Sequence, residues 1–256
     1  MTWLLLRDAA APGAWNMALD AALLEAAEAE GLHAHRRYAW GPPAISFGRN
    51  EPALRRYDRA RIAELGLATV RRPTGGRAVW HDREVTYAVA APVTAFGSLR
   101  ETYREIHATI AEGLRALGAD VRLAADRPAA GVGAGACFAS AAGGEVMAAA
   151  GGKVVGSAQV RSGDAFLQHG AILLAAEQDV IAAVTLGKAD APSAAGVGQL
   201  VNPRRASWEA VADAVALAAE RRWGVPATPA ALPERVRRAG ETLLARYADD
   251  AWTWRR

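Results

Sequence analysis

The sequence predicts an α+β fold, a mixed and largely antiparallel sheet flanked by helices. Strand-like and helix-like stretches come in groups, without the regular βαβ alternation of a parallel sheet. Short apolar runs between residues 136 and 174 are separated by glycine pairs at 143–144 and 151–152, the spacing of an antiparallel meander. Stretches after Ser98 and Ser207 carry apolar residues at helical spacing behind capping side chains.

With 256 residues, 52% hydrophobic and 22% charged, the chain can build one substantial core and is too apolar for extensive disorder. A single domain over residues 1–256 is expected, with 206–256 as a helical C-terminal extension. Trp3–Leu6 reads as a first strand. Arg7 and Asp8 follow at once, so the run is too short for a signal peptide or a membrane span, and the expected location is cytoplasmic, with no membrane partner. The net charge of +3 is mild and the basic residues are dispersed, which disfavours nucleic acid and suits steering of an acidic protein. The single cysteine, Cys137, excludes an internal disulfide and a cysteine-cluster metal site, and no metal is expected.

Asn16 is a predicted N-cap for an alanine-rich helix running to about Glu30, where Gly31 ends it. Ala44–Phe47 reads as a strand after the Gly-Pro-Pro break at 41–43, and Asp58–Leu65 as a short helix stopped by Gly66. Leu67–Arg72 and Glu84–Ala91 are predicted strands. In the second, Val85, Tyr87 and Val89 alternate with Glu84, Thr86 and Ala88, the period of a half-buried sheet. Between them, Gly75 and Gly76 let a ligand approach the main chain, while Arg71, Arg72 and Arg77 offer guanidinium forks suited to a phosphate or carboxylate.

Ser98 and Glu101 are spaced as a capping box, and Tyr103, Ile106, Ile110, Leu114 and Leu117 then form one helical stripe before Gly118. His107 lies off that stripe and is expected at the surface. Residues 128–136 read as a mobile loop leading into Cys137. Strands are predicted at Ala136–Phe138, Glu145–Ala150, Lys153–Arg161 and Ala165–Leu174, and a second small-residue loop at Gly187–Gly198. Ser207 caps a helix to Trp223; Leu232, Val236, Leu243, Leu244 and Tyr247 mark another. Trp252 and Trp254 suggest a docked tail.

Lys153 follows a glycine pair and opens an apolar strand, where an ammonium would serve as a point donor to a ligand carbonyl. Gly156 and Ser157 leave room beside it, and Gln159, Arg161, Gln168 and His169 add polar groups. An ordinary hairpin lysine and a structural histidine are the plain alternatives.

Arg71-Arg-Pro-Thr-Gly-Gly-Arg-Ala-Val-Trp-His-Asp82, Gly152-Lys-Val-Val-Gly-Ser-Ala-Gln159 and Phe166-Leu-Gln-His-Gly-Ala-Ile-Leu-Leu174 together resemble the catalytic domain of the lipoate and octanoate protein ligases and transferases. Asn16-Met-Ala-Leu-Asp20 and Ser46-Phe-Gly-Arg-Asn-Glu51 also match, so the resemblance spans roughly residues 1 to 250. It implies a biotin/lipoate ligase-like fold and a pocket for an eight-carbon acyl chain, with Lys153 on the acyl carbonyl. The substrate-binding positions it implies are Arg72, Thr74, Gly75, Gly76, Arg77, His81, Gly156, Ser157, Ala158, Gln159, His169 and Gly170. The implied acceptor is a lysine of a lipoyl domain or of the glycine cleavage H protein.

The resemblance leaves two mechanisms. A ligase uses ATP and Mg2+ to make an acyl-adenylate. A transferase takes octanoate from octanoyl acyl carrier protein through a cysteine thioester and needs no cofactor. Ala136-Cys137-Phe138 resembles the cysteine motif of the octanoyltransferases of Gram-positive bacteria, which implies Cys137 as nucleophile, its pKa lowered by Lys153. Ser140-Ala-Ala-Gly143 departs from that family's proline-serine turn. The stretch after Leu174 leaves no room for the accessory domain many ligases append, which tilts the expectation to the transferase. An ATP-dependent lipoate-protein ligase is the alternative, ahead of a non-catalytic lipoyl-domain-binding relative.

Overall fold

The computed structural model describes residues 2–125, 143–187 and 193–255. Its elements run β1 (Trp3–Arg7), α1 (Gly13–Glu30), β2 (His33–Tyr38), β3 (Ala44–Phe47), α2 (Ala53–Arg56), α3 (Arg59–Glu64), β4 (Ala68–Arg71), β5 (Val79–His81) and β6 (Glu84–Pro92). After these come α4 (Leu99–Ala116), β7 (Val121–Leu123), β8 (Val146–Ala148), β9 (Val155–Ser162) and β10 (Ala165–Leu173). The chain continues with α5 (Asp179–Ala183), α6 (Trp208–Trp223), α7 (Glu234–Ala248) and α8 (Asp250–Thr253).

The main sheet has the order β1-β2-β6-β10-β9, parallel between β1 and β2 and antiparallel elsewhere. Alternation along β6 and β10 divides its faces. Val85, Tyr87, Val89, Phe166 and Ile172 join the core under α4 and α6, whereas Ala88, Ala90, Ala165 and Leu167 join the core under α1, which α7 covers in turn. A second sheet, β4-β3-β5, packs with α2, α3 and α5 around Ile45, Phe47 and Trp80. The mixed, largely antiparallel sheets and flanking helices are those the sequence predicts.

Asn16 is not a cap. The helix begins at Gly13, and the buried Asn16 amide donates to the carbonyls of Ala11 and Ala39, both at 3.1 Å, tying the helix start to the strand beside it. The capping box at Ser98 and Glu101 and the Ser207 cap are both formed. Strand β2 has no sequence counterpart because His-Ala-His-Arg-Arg-Tyr shows no apolar alternation. All six residues are nevertheless buried, since β2 lies between β1 and β6. Arg36 is held there by Asp8, Asp20 and Asn16, and Arg37 by Asp213 and the Ala212 carbonyl.

The predicted meander is half right. β9 and β10 form a hairpin in the main sheet, but β8 leaves it to pair antiparallel with β7. The predicted strand Ala136–Phe138 and the loop 128–136 lie outside the described residues, as do residues 188–192 of the Gly187–Gly198 loop. The tail docks: Trp254 packs edge-on against Phe47, and Arg71 donates to the Thr253 carbonyl at 2.9 Å.

Candidate functional site

The small side chains of β9 and β10 leave a hollow on the α1 side of the main sheet. Register aligns Tyr38, Thr86, Ala171 and Gly156 across four strands, with Ala88, His169 and Ala158 two residues along. Together with Met17, Trp40, Arg72, Val79, His81, Ser157 and Gly170, most of these residues line a pocket with about 350 Å³ of empty space, mouth included. Gly170 is required by space: a Cβ there would lie 2.5 Å from the Gly156 oxygen and from Ser157 Oγ.

The second sheet presents the loop from Arg72 to Arg77 at this pocket. Arg71 and Arg72 turn donors to main-chain carbonyls and are not free forks for an anion, which corrects the expectation for those two, although Arg72 lines the pocket. Arg72 donates through Nη1 to the Ser46 carbonyl and hydroxyl, and through Nη2 to the carbonyls of Gly75 and Arg77, at 2.7–2.9 Å. Arg71 donates to the carbonyls of Gly48 and Glu51 at 2.6 and 2.9 Å. The turn leaves carbonyls without ladder partners, and the guanidinium groups satisfy them. Gly76 has a φ of 88°, and its carbonyl passes 2.0 Å from where a Gly48 Cβ would stand. Arg77 is half-buried.

Two imidazoles hold this loop and the strands beside it. The buried Thr74 hydroxyl donates to His169 Nε2 at 2.6 Å, and His169 Nδ1 donates to Asp20 Oδ2 at 2.8 Å. Asp20 also accepts from Tyr38 at 2.8 Å and from Arg36 at 2.7 Å. Burial alone would push the Asp20 pKa up, but the His169 and Tyr38 hydrogen bonds and the Arg36 charge hold it below the usual carboxylate value. Burial lowers the His169 pKa, and Asp20 offsets only part of that effect. His81 donates to Glu84 at 2.8 Å, lies 2.6 Å from the Ser46 hydroxyl, and stacks on Trp40 at 3.9 Å between ring centres.

On the opposite face, beneath Gly170, lies a second polar network. Gln159 donates to Gln168, Gln168 to Tyr87, Tyr87 to Ser157 and Ser157 to His107 Nε2, at 2.7–2.9 Å. His107 Nδ1 donates to the Gly144 carbonyl at 2.8 Å, which fixes the direction of every bond in the chain. His107 is therefore buried, not exposed. It sits one residue past the apolar stripe position Ile106, on the sheet-facing side of α4, and burial pushes its pKa down to about 3. Lys153 is buried too, its Nζ 2.6 Å from Glu145 Oε1, and β9 begins two residues beyond it. Cys137 lies outside the described residues.

Sequence reasoning named His169, His81 and the glycine loop but passed over Asp20, Tyr38, Trp40, Thr86, His107 and Glu145 as site residues. Asp20 and Met17 fall in the first-helix motif, and an acidic residue in an alanine-rich helix was the available signal. Glu145 and His107 had none, because their partners lie 8 and 37 residues away in the chain. Among the described residues no group of three or more His, Cys, Asp or Glu side chains could hold a metal ion, and no helix is long and apolar enough to cross a membrane.

Comparison with known proteins agrees with this architecture. The family model of the lipoyl protein ligase A/B catalytic domain matches residues 12–216. Octanoyltransferase LipM of Kyrpidia tusciae is 36% identical over 276 aligned residues, covering 100% of this chain and 99% of that protein. Octanoyltransferase LipM of Moorella thermoacetica is 36% identical over 272, covering 100% and 98%. Among solved structures, lipoate-protein ligase A bound with ATP superposes with a TM-score of 0.84 at 21% identity, over 99% of both chains. A bipartite lipoate protein ligase from Thermoplasma acidophilum, studied with its E2 lipoyl domain, gives 0.82 at 19%, over 99% of this chain and 96% of that one. At such identities the structural likeness establishes the shared fold alone.

Proposed function

The chain belongs to the lipoyl protein ligase A/B catalytic domain family, and we propose that it is an octanoyltransferase of protein lipoylation. It moves an octanoyl group from octanoyl acyl carrier protein to the ε-amine of a lysine on a lipoyl domain or glycine cleavage H protein. The observation that carries this reading is the match over the whole chain, at 36% identity, to proteins named octanoyltransferase. The pocket agrees with it: its floor of glycine and alanine suits an unbranched acyl chain, and its walls are closed by Trp40, Met17 and Val79.

In this mechanism Cys137, as thiolate, attacks the carrier thioester carbonyl. A carbon–sulfur bond to Cys137 forms, the bond to the carrier thiol breaks, and that thiolate takes up a proton. The neutral acceptor amine then attacks the new thioester. A carbon–nitrogen bond forms, the bond to Cys137 breaks, and the ammonium proton passes to solvent. In both steps Lys153 would donate to the oxygen on which negative charge develops. Arg72, Thr74, Gly75, Gly76, Arg77, His81, Gly156, Ser157, Ala158, Gln159, His169 and Gly170 are proposed to build and hold the acyl site.

No ATP or Mg2+ enters this scheme; the bound ATP of the ligase structure belongs to that protein. The proposed compartment is the cytoplasm. Residues 1–256 are proposed to act as one catalytic unit, with residues 206–256 adding helices that back α1 and α4.

Incubation with octanoyl acyl carrier protein, without ATP, tests the reading by mass spectrometry. An octanoyl adduct that hydroxylamine removes, and that Cys137→Ala abolishes, is expected. An unmodified protein that activates lipoate with ATP would make it a ligase instead.

A further inference from the structure

Glu145 has no part in the transfer scheme above, yet its side chain is tied to that of Lys153. Nζ and Oε1 are 2.6 Å apart, with the side chains 3% and 5% exposed. The two residues lie just ahead of β8 and β9, beside a main-chain bond in which the Val154 amide donates to the Val146 carbonyl at 2.9 Å, and main-chain bonds hold each of them. The Lys153 amide donates to Ser193 at 2.7 Å and its carbonyl accepts from Ala195 at 3.0 Å, while the Glu145 carbonyl accepts from Ala124 at 2.7 Å. The Tyr103 hydroxyl lies 3.3 Å from the same carboxylate oxygen.

We infer that Glu145 is a positioning residue for the acyl transfer, holding Lys153 as an ammonium three residues ahead of the pocket-floor residue Gly156. This rests on the role of Lys153 proposed above. Burying an ammonium is costly unless a counter-charge sits beside it, and a buried ion pair adds little net stability over apolar packing. A pair enclosed this way is therefore better explained by a use for its positive charge than by cohesion. Among the described residues, the other groups recorded around the pair are not carboxylates. Tyr103 and His107 face it from α4 and Tyr87 from β6, none of them a carboxylate, and Ser193, Ala194 and Ala195 are uncharged. His107 in turn feels Lys153, whose charge helps to keep the imidazole neutral.

The test is a kinetic comparison of E145Q, E145D and K153A with the wild type, using octanoyl acyl carrier protein as donor and a lipoyl domain as acceptor. E145Q keeps the shape and removes the charge. Its kcat is expected to fall on the order of 100-fold, as for a misaligned donor at a developing oxyanion, with KM little changed. The basic limb of its kcat profile is expected to move to lower pH, because a buried ammonium without its carboxylate gives up its proton more readily. E145D, with charge but shorter reach, is expected to lose kcat and keep the wild-type pH limb. The E145Q/K153A double variant is expected to be no slower than K153A, since Glu145 acts through Lys153. An E145Q enzyme with the wild-type kcat and pH profile, or a double variant slower than K153A, overturns the inference. If E145Q fails to fold, E145D decides: loss of the pH limb in that variant also overturns it. A wild type that forms no hydroxylamine-sensitive adduct would instead defeat the transferase reading, an outcome separate from these.

Discussion

Thr74 and His169 stand 95 residues apart in the chain, and the Thr74 hydroxyl donates to the His169 ring at 2.6 Å. Through Asp20 the same imidazole is bound to α1. One side chain thus joins the glycine loop, the central hairpin and the first helix, the three segments that meet at the pocket.

Removing the hydroxyl should loosen that junction. Thr74→Val leaves His169 Nε2 buried without a partner, an expected cost of about 1–3 kcal/mol. Urea unfolding measures it, and Thr74→Ser should recover most of the loss; equal stability of the valine variant would contradict the role given to the bond.

Asp20 carries more. It is fully buried and is the charge partner of Arg36, itself fully buried, while also accepting from Tyr38 and His169. Asp20→Asn is expected to destabilise the fold by about 3–5 kcal/mol, the range for breaking a buried pair from one side. A loss under about 1 kcal/mol by denaturant titration would mean that Asp8 suffices for Arg36.

Acid should unfold the protein early. His35 and His107 are fully buried with pKa values pushed down from 6.5 to about 3, and His169 is also lowered. Between those values the unfolded chain takes up protons that the folded protein refuses, so stability is fully present above pH 6.5 and declines as pH falls toward 3. The lowered Asp20 adds a further loss as pH drops below its ordinary value of 3.8. Unfolding free energies measured from pH 7.5 down to pH 4 should fall steadily; a flat profile from pH 7 to 5 would show that these imidazoles are not kept neutral.

Two glycines should resist even alanine. At Gly170 a methyl group would meet the Gly156 oxygen and Ser157 Oγ at 2.5 Å, and at Gly48 it would meet the Gly76 oxygen at 2.0 Å. Gly170→Ala should cost about 1–3 kcal/mol by overpacking and displace Ser157 from Tyr87. Gly48→Ala should instead push the glycine loop outward, raising KM for the acyl donor more than it lowers the melting temperature. Wild-type KM in that variant would show that the loop does not need its observed position.

Much of this fold was legible because it rests on local signals. The capping box at Ser98, the Ser207 cap and the stripe on α4 each depend on residues within a few turns of one another, whereas the alternation along β6 foretold one buried face and the strand is buried on both. Strand β2 was not legible, since its burial comes from lying between two other strands and its charges are matched by residues on α1 and α6. The site divides the same way. His169 and the glycine loop stand in recognisable runs, whereas the reading of His107 as a surface residue failed because helical position alone does not reveal the Gly144 carbonyl of a turn and the Ser157 hydroxyl of β9 that meet it.

The sequence by itself determined the family, the α+β class and the segments that form the pocket, because motif order and periodicity are properties of the chain. Tertiary structure alone decided what the polar residues do. Arg71 and Arg72, which as a sequence looked like anion forks, donate to main-chain carbonyls, and Lys153 is met by the carboxylate of Glu145, the residue just before β8. The reason is physical: a buried donor or charge takes whichever partner the fold brings within about 3 Å, and no spacing along the chain records that partner in advance.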